Sequence, residues 1–137
     1  MQEHFEALGK FVYAMMRNDT YCRYPVASIT LWLEPAAYLG QVHFFTDLNG
    51  QMIGYMTWAW LTAEAEQRLI EDPEVLLHLS EWNEGERLWV LDFVVLNGDV
   101  GACLRTARTL FPHVSSARSL RRDDEGRVKR VSTWKVR

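Results

Sequence analysis

The feature that most constrains the fold is an apolar run over residues 88–96, which is followed at once by a glycine turn and an amphipathic helix. The run is short and rich in β-branched and aromatic residues, a pattern typical of a strand that is buried on both faces. A single carboxylate, Asp92, interrupts it. An Asn-Gly-Asp turn then breaks the strand, and its Asp99 is placed to cap the next helix. We therefore predict a central strand over 88–96 with a helix over 99–111 packed against it.

The start of this helix is a candidate donor site. Apolar residues recur at helical spacing after the turn and define the face that packs on the sheet: Val100, Cys103, Leu104, Ala107, Leu110 and Phe111. The first backbone N–H groups of a helix have no partner within it, so they are available to an anion or an acyl donor. The sequence therefore predicts a donor-binding segment made of Asn97, Gly98, Asp99, Val100, Gly101 and Ala102.

Helical patterns also precede the central strand. Pro25 can open a helix, which Pro35 is expected to end or kink. Short helices are predicted over 62–70, with Thr62 as the cap, and over 73–79. An amphipathic helix over 3–17 is predicted from an apolar stripe made of Phe5, Leu8, Val12, Met15 and Met16.

Two hairpins complete the predicted architecture. Strand-like segments at 41–46 and 51–61 flank a strong turn signal at 47–50. Further strands are predicted at 116–122 and 127–136, joined by an acidic turn. The order of helices, hairpin, helices, strand, helix and hairpin predicts an α+β fold, an α/β sandwich around a mixed, mainly antiparallel sheet.

Composition narrows the functional classes. With 137 residues, 48% of them hydrophobic and 24% charged, we expect a single domain over residues 1–137. The formal net charge of −3 gives no electrostatic support for binding nucleic acid. Cys22 and Cys103 lie far apart and favour a reducing cytoplasm. We expect neither a membrane span, which needs roughly 18 apolar residues, nor a secretory signal. The sequence does not determine the oligomeric state, and a homodimer is compatible with it.

The predicted C-terminal hairpin is strongly basic. Charge runs are most often a solvated face, and this interpretation stands beside a functional one, the docking of an acidic partner. Under the functional interpretation, the candidate partner-binding residues are Arg118, Arg121 and Lys129. The hairpin's basic residues in full are Arg118, Arg121, Arg122, Arg127, Lys129 and Arg130.

A further pattern is an ordered set of short segments spread over almost the whole chain. They are Leu8-Gly9, Arg23-Tyr24-Pro25-Val26, Tyr55-Met56-Thr57-Trp58-Ala59, Gly85-Glu86-Arg87-Leu88-Trp89-Val90-Leu91-Asp92, Gly98-Asp99 with Gly101-Ala102, Phe111-Pro112, and Arg118-Ser119-Leu120-Arg121 running to Val128-Lys129-Arg130-Val131. In this order and spacing the segments resemble the toxin-activating lysine acyltransferases, the bacterial proteins that acylate internal lysines of RTX protoxins.

The resemblance implies a fold like that of the Gcn5-related N-acetyltransferases (GNAT). It implies an acyl-carrier-protein thioester as co-substrate, with no bound cofactor, and as partners an acyl carrier protein and a protein substrate that presents the target lysine. It also implies a catalytic pair of one His and one Asp. The Asp corresponds to Asp92, in a Gly-x-Arg-x-Trp-x-x-Asp context. At the position of the His, this chain has Cys22. No pair of histidines has metal-ligand spacing, so we predict no metal.

Lysine acylation requires a neutral amine, and a His held by a carboxylate can accept the amine's proton. Asp92 would be that carboxylate, or it would only cap backbone groups or pair with Arg87 or Arg121. His43 could replace the missing base only if its strand passes Asp92. Three interpretations of Cys22 stay open: a nucleophile that accepts the acyl group as a thioester, a sign of lost activity, or a small buried hydrophobic residue.

Two functions from different classes follow. The first is a protein-lysine acyltransferase that uses acyl-carrier-protein thioesters. The second is a non-catalytic relative that keeps the fold and binds an acyl carrier or a protein. In both cases we expect the turn at 20–24 to lie over the strand near residue 92, with the side chains of Cys22 and Asp92 within several ångströms of each other in one cleft.

Overall fold

One five-stranded sheet lies at the centre of the part of the chain that the computed structural model describes, residues 2–72, 74–123, 125 and 127–136. The strands, which follow one another across the sheet in chain order, are β1 Val42–Thr46, β2 Met52–Leu61, β3 Arg87–Val95, β4 Ser116–Arg122 and β5 Val128–Lys135. The α-helices are α1 Gln2–Met16, α2 Glu34–Leu39, α3 Ala63–Glu71 and α4 Val100–Thr109. Shorter helical turns lie at Tyr21–Arg23, Ile29–Leu33 and Leu79–Trp82.

The middle strand is β3, as its apolar run predicts. It pairs antiparallel with β2 and parallel with β4, and the other neighbouring strands are antiparallel. Residues 88–92 are all buried. The predicted α+β fold with a mixed, mainly antiparallel sheet is therefore confirmed. The β3–α4–β4 crossover that makes the parallel pair is consistent with the GNAT-like fold that the resemblance implies.

Helices cover both faces of the sheet. On one face α1, α2 and α3 pack on a cluster that includes Phe11, Trp32 and Trp89. On the other face α4 packs through Cys103 and Ala107. The predicted caps of these helices are present, since the side chain of Thr62 caps α3 and that of Asp99 caps α4.

The buried face of α1 differs from the predicted stripe. Its buried residues are Ala7, Phe11, Ala14 and Met15. Phe5 and Met16 are instead 62% and 67% exposed. The two alanines let the helix approach the sheet closely, and a pattern that counts large apolar residues overlooks them. No helix within the described ranges is long and apolar enough to cross a membrane.

Pro35 does not end the second helix. Helical backbone runs from residue 27 to residue 39, and it widens into a π turn over Ile29–Leu33, where the N–H of Glu34 donates to the carbonyl of Ile29. Pro35 follows this turn and occupies the first turn of α2, where its missing N–H costs little. Backbone widening of this kind absorbs a proline without breaking the helix.

The helix predicted over 73–79 is wrong for its described residues; Pro73 lies outside them. Val75 and Leu77 are buried, whereas Leu76 between them is 51% exposed. Alternate burial is the period of an extended chain rather than of a helix. A short 3₁₀ helix begins only at Leu79, where the side chain of His78 caps it.

Strands β3 and β4 pair over a very short length. Only Trp89 with Arg118 and Val90 with Ser119 are in register. Beyond these pairs the two strands are no longer paired, and β3 carries a bulge at Leu91 just after them. The divergence leaves a gap in the middle of the sheet, and the candidate site lies there.

Candidate functional site

A β-bulge sets the direction of the Asp92 side chain. In the pairing of β3 with β2, Asp92 lies opposite Thr57. The preceding register pair is Val90 with Trp58, so Leu91 is the extra residue. Bulges change the face to which the following side chains point and are frequent beside active sites. The Asp92 carboxylate is consequently buried on the α1 and α2 side of the sheet, with its side chain only 2% exposed.

Three side chains donate hydrogen bonds to this carboxylate. The Tyr21 hydroxyl donates to Oδ1 at 2.7 Å, and the Arg122 guanidinium donates to the same oxygen at 2.6 Å. The Thr57 hydroxyl donates to Oδ2 at 3.2 Å. Asp92 therefore pairs with an arginine, as one interpretation of the sequence held, but the arginine is Arg122 rather than Arg87 or Arg121.

Arg122 fills the gap between the diverging strands. Its Nη1 also donates to the Leu91 carbonyl at 3.0 Å, so the side chain replaces a backbone hydrogen bond that the divergence removes. Its guanidinium lies 4.1 Å from the centre of the Trp32 ring. The ion pair is buried on both sides, and Nε and Nη2 of Arg122 have no hydrogen-bond partner among the described residues.

Tyr21 projects from the 3₁₀ turn Tyr21–Arg23 toward Asp92. The turn is fixed from its start, because the side chain of Asn18 accepts from the N–H groups of Thr20 and Tyr21. Burial, and then the charge of Asp92, raise the pKa of Tyr21 well above its ordinary value. The phenol is therefore neutral, and its hydroxyl donates a hydrogen bond to Asp92. The centroid of the Tyr55 ring lies 6.5 Å from that of Tyr21. Burial, and then the charge of Asp92, also raise the pKa of Tyr55.

Cys22 lies in the same turn but points elsewhere. Its side chain is exposed, and its thiol donates to the Asp19 carbonyl at 3.4 Å. The turn lies over the strand near residue 92, but the side chain on the carboxylate is that of Tyr21. Cys22 is not among the hydrogen-bond partners of Asp92 in the described part of the chain.

The histidines lie away from this cluster. His43 is on β1, which β2 separates from β3, and its ring packs against Phe45 on the α4 side of the sheet. His4 faces Glu34 at 3.5 Å, and His78 caps a 3₁₀ helix. His113 is exposed in the loop after α4. Among the described residues, no three side chains of His, Cys, Asp or Glu converge on a metal position.

A groove of about 540 Å³ runs through the divergence between β3 and β4. Its lining comes from both faces of the sheet: Tyr21 on one side, and Leu104 and Arg108 of α4 on the other. The groove is therefore lined both by apolar side chains, such as Leu104, and by several arginines, such as Arg108. The remaining lining residues include Asn18, Thr20, Val90, Phe93, Ser119, Leu120, Arg121, Arg122, Arg130, Ser132, Thr133 and Trp134.

The predicted donor segment lies at the start of α4, beyond the C-terminal end of β3. Asn97, Gly98, Asp99, Val100 and Gly101 are exposed, and Ala102 is half-buried. Gly98 has a φ of 79°, which explains the glycine in the turn. The Asp99 carboxylate accepts from the N–H of Ala102 at 3.1 Å, so one of the helix-start donors is already satisfied.

The three candidate partner-binding residues differ in their surroundings. Arg118 lies 3.6 Å from Glu66 and over the Trp89 ring. Arg121 is exposed and lines the groove. Lys129 is exposed at a bulge of β5. Only Arg121 of the three borders the groove.

Tyr21, Thr57 and Arg122 are the site residues that sequence reasoning missed. Thr57 falls within a segment that carries the resemblance, and its polar side chain between Met56 and Trp58 was the available signal, whereas Tyr21 lies two residues before another such segment. Arg122 had no such signal, because it lies in a run of basic residues that resembles a solvated face.

Comparisons with known proteins agree with the resemblance. The sequence profile described as the RTX toxin acyltransferase family matches residues 1–135. An uncharacterized protein of Synechocystis is 32% identical over 93% of this chain and 87% of its own length. The RTX-I toxin-activating lysine-acyltransferase of Actinobacillus pleuropneumoniae is 27% identical over 95% of this chain and 74% of its own. A protein-lysine myristoyltransferase of Escherichia coli is 28% identical over 94% of this chain and 74% of its own.

Proposed function

This chain belongs to the RTX toxin acyltransferase family, and on that premise we propose that it transfers a fatty-acyl group from an acyl-carrier-protein thioester to an internal lysine of a protein substrate. The observation that carries the proposal is the groove between β3 and β4, which reaches the buried Asp92 cluster through Tyr21. A groove of about 540 Å³ falls within the size range of small-molecule sites.

The groove suits the acyl donor. Phe93, Leu104 and Trp134 offer apolar contact to an acyl chain, and the indole Nε1 of Trp134 has no hydrogen-bond partner among the described residues. Arg108 and Arg121 supply cations for the phosphate of the carrier's phosphopantetheine arm.

The donor segment at 97–102 is proposed as the place where the acyl carrier meets the chain. It follows the C-terminal end of β3, which is the end at which β3 and β4 are apart, so an arm that enters there leads into the groove. The N–H groups of Val100 and Gly101 are the helix-start donors that face outward for it.

The basic hairpin is proposed as the surface for the acidic carrier. Arg121 borders the groove, and Lys129 extends the line of cations along β5 outside it. Arg118 contributes less, because Glu66 already offsets its charge. Charge complementarity of this kind mainly raises the rate of association.

The proposal includes a cytoplasmic location, where free thiols such as Cys22 and Cys103 stay reduced. It also includes a homodimer. The outer side of α1, with Phe5, Val12 and Met16 exposed, is the apolar surface through which two copies would associate.

A second candidate is a non-catalytic relative that binds an acyl carrier or a protein. One observation favours it: the Asp92 carboxylate, which we propose as the catalytic carboxylate, is held by Arg122, and its side-chain partners within the described ranges are Tyr21, Thr57 and Arg122 rather than a histidine. Under the enzymatic proposal, Cys22 is the candidate covalent nucleophile. Its thiol is exposed, and exchange between thioesters is nearly isoenergetic.

Intact-mass analysis separates these functions. The chain is incubated with myristoylated acyl carrier protein, with and without a lysine-containing acceptor protein. Enzymatic transfer adds a hydroxylamine-resistant acyl mass to the acceptor, whereas a binding module leaves all masses unchanged while still retaining the carrier. A hydroxylamine-sensitive adduct on this chain that disappears in Cys22→Ser would identify a covalent intermediate.

A further inference from the structure

The side chain that joins the buried carboxylate to the groove is Tyr21. Its hydroxyl lies 2.7 Å from Oδ1 of Asp92, and Tyr21 lines both the groove and the small pocket beside Trp32 and Asp92. Asp92 itself is 2% exposed, so a substrate amine in the groove reaches the carboxylate only through another group. We propose that Tyr21 is a catalytic residue that relays the proton of the substrate lysine to Asp92; this inference rests on the acyltransferase function proposed above.

The relay balances its protons without a charged tyrosine. As the neutral lysine nitrogen attacks the thioester carbonyl, its N–H proton passes to Oη of Tyr21 while the Tyr21 proton passes to Oδ1 of Asp92. The new C–N bond forms, the C–S bond breaks, and the thiolate leaves with its electron pair. The reverse relay then returns the proton from Asp92 through Tyr21 to the thiolate, which leaves as the thiol and restores the starting state.

The neighbouring groups suit this role. Arg122 lies 2.6 Å from Oδ1 of Asp92 and holds the carboxylate in position beside Tyr21. Burial and the Asp92 charge keep the pKa of Tyr21 high, so the phenol stays protonated and donates to the carboxylate. The rings of Tyr55 and Tyr24 pack against the Tyr21 ring, with centroid distances of 6.5 and 4.8 Å, and keep its hydroxyl directed at Asp92.

Steady-state kinetics with myristoylated acyl carrier protein and a lysine-containing peptide tests the relay. Tyr21→Phe keeps the ring and removes the oxygen, so we expect kcat to fall at least about 100-fold, the usual contribution of a general acid–base residue, with an unchanged KM for the donor. Tyr21→His should recover part of kcat, with a new pH limb near about 6.5 below which the charged imidazole no longer accepts a proton.

Tyr38→Phe is the matched control, because Tyr38 is 70% exposed on α2 and is not among the groove-lining residues named above. Its kcat should match the wild type, and melting curves should show that all variants fold. Wild-type activity with an unchanged kcat in Tyr21→Phe would overturn the relay alone. Absence of transfer by the wild-type chain would overturn the relay together with the acyltransferase proposal.

Discussion

Arg122 and Asp92 form an ion pair in which each side chain is only 2% exposed. Removing two charges from water is costly, and the pair is tolerated because Tyr21, Thr57 and the Leu91 carbonyl satisfy further donors and acceptors. Loss of one partner leaves the other charge buried without compensation.

We therefore expect Arg122→Met to lower the free energy of unfolding by about 3–5 kcal/mol, as measured by urea denaturation. The double variant Asp92→Asn/Arg122→Met should recover part of that loss, because neither charge remains. Arg118→Met is the control and should cost less than about 1 kcal/mol, because Arg118 is 42% exposed and its 3.6 Å pair with Glu66 is partly solvated. Equal losses in Arg118→Met and Arg122→Met would contradict the central role of the buried pair.

At this scale the sequence predicted the carboxylate but not its partners. Asp92 is conspicuous because it alone interrupts an apolar run. Arg121 and Arg122 are adjacent on β4, so their side chains point to opposite faces of the sheet, and only Arg122 lies on the face that holds Asp92. Composition does not distinguish the two arginines, and alternation identifies Arg122 only once the face that holds Asp92 is known.

At the scale of elements, α4 and its capped start determine how a donor would be held. A Cβ added at Gly101 meets only the Arg105 guanidinium, at an ordinary 3.5 Å, so a side chain there points into open space. Gly98 is less suitable for a test, since its positive φ makes any substitution strained.

Gly101→Trp should therefore weaken binding of the acylated carrier by about tenfold, roughly 1.4 kcal/mol, through steric exclusion, and leave the melting temperature nearly unchanged. Fluorescence anisotropy of a labelled carrier measures the affinity. Ala63→Trp, at the exposed first turn of α3, is the matched control and should bind as the wild type does. Unchanged affinity in Gly101→Trp would exclude the segment at 97–102 from the donor site.

Long, strongly patterned elements were predictable. The strands, α3 and α4 follow from alternation, apolar runs and caps. The face of α1 and the segment after α3 were not, because in both places the identity of the buried residues depends on packing against other elements. Two alanines are buried in α1, and an extended segment at 75–78 mimics helical composition.

For the molecule as a whole, the distribution of charge matters more than its sum. The net charge is −3, but Arg108, Arg121 and Arg130 all border one groove. A negatively charged carrier would meet a local positive potential in spite of the overall acidity.

We expect Arg121→Glu to weaken carrier binding by about tenfold or more at low salt, with the difference from the wild type shrinking as NaCl approaches about 1 M, where charges are screened within about 3 Å. Lys10→Glu on α1 changes the net charge equally and serves as the control, because Lys10 lies over the ring of Phe44 on β1, the strand at the opposite edge of the sheet from β5. Equal effects of the two variants would show that only net charge matters.

The two register pairs between β3 and β4 make the sheet unequal in strength across its width. Many more backbone hydrogen bonds join β2 to β3 and β4 to β5 than cross the centre. The C-terminal hairpin of β4 and β5 is thus attached to β3 mainly through these two register pairs and through the contacts of Arg122 with Leu91 and Asp92. Amide hydrogen exchange should be faster in β4 and β5 than in β2 and β3, because partial opening there does not require global unfolding. The same opening would widen the groove, so a long acyl chain could enter sideways rather than thread through a closed passage.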